Sequence, residues 1–75
     1  MRNDPAIDRA IARFAKEIKL RRHAKGLSIR KACKEYGIAI GSIYYIESGK
    51  GVSLANYIKL CRYYGIQVDA FLYED

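Results

Sequence analysis

His23, Cys33 and Cys61 are the side chains of this sequence best suited to nucleophilic, redox or metal chemistry. Their spacing serves none of these. A structural zinc site draws on four ligands, usually in closely spaced pairs, and one histidine with two distant cysteines does not supply them. His23 sits among Arg21, Arg22 and Lys25, which favours an exposed basic face. The carboxylates are not paired for acid–base work, since Glu74 and Asp75 fall at the end of the chain. No glycine-rich phosphate loop follows a strand. The sequence predicts no catalytic residue, no metal, no cofactor and no enzyme.

The remaining chemistry is cationic. Lys and Arg number 14 against 8 Asp and Glu, for a net charge of +6. Beyond Lys50 only Lys59 and Arg62 are basic, and they are outweighed by Asp69, Glu74 and Asp75. A basic part joined to a neutral, tyrosine-rich part suggests one face for a polyanion and another for packing or self-association. Arg30, Lys31, Lys50, Lys19, Lys25 and Lys34 are the candidates for phosphate contact; for any one of them a solvated, solubilising role is the alternative.

Length and composition bound the rest. Seventy-five residues make one domain, 1–75, with a thin core. A hydrophobic content of 51% with 29% charged residues is the balance of a globular protein. No run of about 18 apolar residues is present to cross a membrane. Met1-Arg2-Asn3-Asp4-Pro5 leads into no apolar block of the secretory kind. Two cysteines are too few for a stapled extracellular scaffold, so a reduced, cytoplasmic protein is expected.

Glycines punctuate a series of helical patterns. Asp4-Pro5 opens the first, with Asp as N-cap and Pro at the first helical position. Ile7, Ile11, Phe14 and Ile18 follow as one stripe, with Arg9, Arg13, Lys16 and Lys19 opposite. Gly26 ends the helix. Ser28 caps a second, with Ile29, Ala32, Cys33 and Tyr36 apolar, and Gly37 stops it. A third segment starts at Ile38 and carries Ile43 and Ile46. Ser53 caps a fourth, whose predicted stripe is Leu54, Tyr57, Ile58, Cys61 and Tyr64. Gly65 closes it, and Val68–Leu72 reads as a final turn or short helix. No useful period-two alternation exists, so the class is all-α. Two short helices around Gly37 have the layout of a helix-turn-helix, although a structural helical hairpin would look the same.

In these residues the sequence resembles the phage-repressor and Cro-type (xenobiotic-response-element-type) helix-turn-helix regulators. The resemblance runs from about Phe14 to Leu72. It rests on Ile18 with Arg22, Lys25-Gly26-Leu27-Ser28, Gly37-Ile38, Ser42-Ile43, Ile46-Glu47-Ser48-Gly49-Lys50, Ser53-Leu54, Ile58-Lys59-Leu60 and Gly65-Ile66. It implies a compact five-helix, lambda-repressor-like DNA-binding domain. It also implies a transcriptional regulator, a repressor, that binds double-stranded DNA as a homodimer on a pseudo-palindromic operator. Such a protein would be cytoplasmic and nucleoid-associated, without a membrane or small-molecule partner. Arg22 and Glu47 match the positions at which members pair the first helix with the end of the recognition helix; ordinary surface charges are the alternative. Cys33 and Cys61 stand where members mostly carry alanine, which favours small buried thiols.

With Ile43 and Ile46 turned inward, 100° per residue points Gly41, Tyr44, Tyr45 and Ser48 outward, with Ile40 beside them. Ile40, Gly41, Ser42, Tyr44 and Tyr45 are the expected base-reading set, and Ser48 joins the phosphate set. Here the sequence departs from the family pattern. Ile40 and Gly41 replace hydrogen-bonding side chains, and Ala39 replaces the usual cap. Either Ile40 packs on a thymine methyl while Gly41 admits the groove edge, or the helix binds protein, as in an antitoxin-like or bridging module. Tyr63, Phe71, Leu72 and Tyr73 are expected to form a dimer interface; the alternative is that they cap a monomer's core.

Overall fold

The computed structural model describes residues 4–73. Met1–Asn3 and the terminal acids Glu74 and Asp75 lie outside them. The described residues form four α-helices: α1 Pro5–Ala24, α2 Ile29–Tyr36, α3 Ile40–Glu47 and α4 Leu54–Tyr64.

Local signals set the helix ends. The Asp4 carboxylate accepts from the Ala6 amide at 2.9 Å, which satisfies one free donor of the first turn. Ser28 and Ser53 do the same for the Lys31 and Asn56 amides. At the other end of α1, Leu27 N–H reaches Arg22 O and Gly26 N–H reaches His23 O. This pair of bonds is a Schellman closure, and it needs the left-handed backbone that Gly26 adopts at φ 68°.

The core gathers Phe14 and Ile18 of α1, Ala32 and Tyr36 of α2, Ile43 and Ile46 of α3, and Leu60 and Cys61 of α4. Ile38, in the turn between α2 and α3, fills the space between those two helices' apolar faces. α3 packs against both α1 and α2, and α4 packs on α2. α3 is thus held on its inner face by two helices and leaves its outer face open.

Three expectations need correction. The implied fifth helix is absent among the described residues: after Ile66 the chain runs as turns through Tyr73. Its internal bonds, Ala70 N–H to Gln67 O and Leu72 N–H to Asp69 O, span three residues and not four. Side chains of α1 and α4 hold the segment in this turned path. Tyr57 Oη donates to Val68 O at 2.5 Å, and Arg13 Nη2 donates to Phe71 O at 3.0 Å and to Tyr73 O. The stripe expected on α4 is also rotated. Leu54 is 74% exposed and Ile58 lies at the surface, while Leu60 takes the core position. Finally, the α1 stripe is buried only from Phe14 onward; Ile7 is exposed and Ile11 half-buried.

Candidate nucleic-acid interface

α3 is positioned by one electrostatic clamp and one turn. Arg22 Nε donates to Glu47 Oε2 at 2.7 Å and Arg22 Nη2 donates to Glu47 Oε1 at 3.0 Å. Both side chains are under a tenth exposed. The remaining terminal nitrogen, Nη1, donates to Leu27 O at 2.8 Å. Two parallel donors on one carboxylate fix angle as well as distance, so the last turn of α3 is locked onto the last turn of α1. The Glu47 hydrogen bond outweighs burial and holds the guanidinium above its ordinary value. At the other end, Lys59 Nζ donates to Gly37 O at 2.9 Å, which ties α4 to the turn that aims α3.

The outer face of α3 is Ile40, Gly41, Tyr44, Tyr45 and Ser48, all exposed. Tyr44 is 61% exposed and Tyr45 53%, large values for aromatic side chains. The Tyr45 ring reaches toward Gly51 in the α3–α4 loop, where an added Cβ would stand 3.5 Å from it. Ser48 Oγ donates to Tyr45 O at 2.6 Å, so its hydroxyl serves the helix end. Ser42 is half-buried and lines, with Gly41, Tyr45, Val52, Ser53 and Asn56, a shallow groove of about 290 Å³ between α3 and α4. Ala39 provides no side-chain cap, so the amides of the first turn of α3 gain no partner from it.

The basic residues divide into two groups. Arg30 and Lys31 stand exposed on the first turn of α2, whose N–H groups carry partial positive charge. Lys50 is exposed in the loop after α3. Lys19 lies three residues before Arg22 on α1, hence on the helix face that meets the end of α3. Lys25 belongs elsewhere. Its ammonium sits 4.7 Å from the centre of the Tyr63 ring, near the end of α4.

The expected dimer residues are also divided. Phe71 packs edge-on against Phe14, and Arg13 holds the carbonyls on either side of Leu72. Leu72 and Tyr73 are 67% and 74% exposed. Tyr63 instead joins Tyr36 and Tyr64, with its hydroxyl donating to Glu35 at 2.8 Å. Arg21 holds Tyr64 O as Arg13 holds Phe71 O. Those two anchors lie eight residues apart on α1, about 12 Å at 1.5 Å per residue. The two aromatic groups therefore lie toward different ends of α1.

The Arg13 anchor was invisible in the sequence, where Arg13 reads as one more charge on the polar side of α1. Its partners are backbone carbonyls 58 and 60 residues away, which no local spacing encodes. The Tyr36–Tyr64 hydroxyl pair was hidden for the same reason, although both residues read as apolar-stripe positions. Cys61 is buried and burial pushes its thiol up, which disfavours the reactive thiolate; Cys33 is half-buried. His23 is exposed beside the Arg22 guanidinium.

A second helix displayed outward, clamped at its end and joined to the first by a three-residue glycine turn, is the geometry of a DNA-binding helix-turn-helix. The family model described as "Helix-turn-helix domain" matches residues 13–71. The chain belongs to the helix-turn-helix domain family. That membership agrees with the Cro-type resemblance read from the sequence. No curated protein and no solved structure matches the chain. Within the family's frame α3 occupies the place of the recognition helix and α2 that of the helix before it. No helix among the described residues is long and apolar enough to cross a membrane.

Proposed function

We propose that this helix-turn-helix protein is a non-enzymatic transcriptional regulator, a repressor, that binds a pseudo-palindromic operator as a homodimer. The observation that carries the reading is the exposed face of α3, set by Arg22–Glu47, in a domain that also exposes Lys19, Lys50, Arg30 and Lys31. In this reading the N-terminal half of α3 enters the major groove. Those cations and the first turn of α2 lie on phosphates, fixing register without selecting sequence. Lys25 lies outside this set, engaged with Tyr63.

The pairing face is Phe71, Leu72 and Tyr73, without Tyr63, which is spent in its own cluster. Beside them the N-terminal half of α1 leaves an apolar groove of about 480 Å³, lined by Ile7, Ile11, Phe14, Tyr57 and Phe71. An open apolar groove next to protruding apolar side chains suits a two-fold contact, in which each copy supplies both parts. Two recognition helices about 34 Å apart would then meet successive turns of the duplex.

A second reading, a protein-interaction module, draws on the exposed Ile40, Tyr44 and Tyr45. Selection from a random duplex library at physiological salt separates the two. Enrichment of an inverted repeat supports the operator reading; no enrichment by the folded protein supports the other.

A further inference from the structure

We infer that the first turn of α3, Ile40 and Gly41, recognises thymine through its 5-methyl group; this rests on the DNA-binding reading above. Gly41 has no structural reason to be glycine. It lies in the first turn of α3 without positive φ, is exposed, and a Cβ built on it meets no atom within 4 Å. Glycine inside a helix is less stable than alanine, so the fold itself would favour a side chain here. What a missing side chain provides is close approach of another molecule to the backbone.

The neighbouring residue says which kind of molecule surface. Ile40 is 44% exposed, branched and without a donor or acceptor. Ala39 before it is equally inert. The leading edge of α3 therefore offers methyl groups and bare backbone where direct reading of guanine or adenine needs paired donors and acceptors. Among the four bases only thymine presents an apolar group in the major groove, its C5 methyl. Ile40 is the side chain that can cover it, and Gly41 permits the approach. Tyr44 and Tyr45, one turn further along the same face, are left to bound the contact on its other side.

The test uses the duplex recovered by library selection. Each thymine is replaced in turn by uracil, which removes one methyl and leaves pairing unchanged. At one position per half-site, affinity measured by fluorescence anisotropy should fall about fourfold, the equivalent of one buried methyl group. In Ile40→Ala the same replacement should have no effect, because the side chain that covered the methyl is gone. Gly41→Ala should leave the melting temperature unchanged or raise it while weakening binding to the thymine duplex, which separates fold from recognition. If no duplex is bound at all, this inference fails with the function it rests on. If a duplex is bound and uracil equals thymine at every position, or the loss persists in Ile40→Ala, this inference fails alone.

Discussion

Arg22 and Glu47 stand 25 residues apart in the chain and meet through two parallel hydrogen bonds of 2.7 and 3.0 Å, with both side chains almost out of solvent. The relationship joins the last turn of α1 to the last turn of α3. It makes the orientation of α3 a property of the whole domain and not of an eight-residue helix, which would be marginal alone.

Removing one partner leaves the other charge buried and unpaired, at a cost of about 3–5 kcal/mol. Glu47→Ala should therefore lower the urea midpoint sharply. The exposed Glu17–Arg21 pair gives the contrast: Glu17→Ala should cost less than about 1 kcal/mol. Equal midpoints for Glu47→Ala and the parent chain would remove the clamp from the account.

Alkaline pH should destabilise the fold. Burial pushes the Tyr57 phenol up to about 12 and raises Tyr36, Tyr64 and Cys61 as well. The folded state thus keeps protons that the unfolded chain loses near the ordinary phenol value of about 10. Stability from these groups is complete below that pH and falls as pH rises through the folded values. Urea midpoints measured between pH 8 and pH 12 should decline in the upper half of the range, and less steeply in Tyr57→Phe. A flat profile contradicts the burial assigned to these hydroxyls.

Salt should act strongly on DNA binding. With Lys19, Lys50, Arg30 and Lys31 of each protomer on phosphates, about eight contacts per dimer, the slope of log K against log salt is expected near −7. Lys50→Ala should weaken all sequences alike and reduce the slope by about two, since each protomer loses a contact, whereas Tyr45→Ala should relax base preference and leave the slope unchanged. Identical behaviour of the two variants would end the division between positioning and readout.

Association is expected through the C-terminal turns. Leu72 is 67% exposed, so Leu72→Asp should leave the fold intact. The same change places a charge in the proposed contact. Sedimentation at micromolar concentration should show a dimer for the parent chain and a monomer for the variant. A parent chain that sediments as a monomer both free and on DNA contradicts the pairing.

Much of this architecture was legible in the sequence because its signals are local. Asp4-Pro5, Ser28 and Ser53 announce helix starts, and Gly26, Gly37 and Gly65 announce ends through a backbone conformation that other residues resist. The outward face of α3 follows from Ile43 and Ile46 by periodicity alone. Leu54 and Ile58 misled because they share one side of α4 while the core takes the adjacent side, Tyr57, Leu60, Cys61 and Tyr64. The C-terminal segment misled for a different reason: its path is held by Arg13 and Tyr57, distant side chains that no local spacing encodes. Arg22–Glu47 was legible only through the family pattern, since nothing in the spacing of two charges 25 residues apart requires them to touch.

The most direct test of the account is an amide NMR titration of the labelled protein with the selected duplex. The largest shifts should map to Ile40–Ser48, to the first turn of α2 at Arg30 and Lys31, and to Lys50. Shifts concentrated instead on α4 and the C-terminal turns, with α3 unmoved, would contradict it.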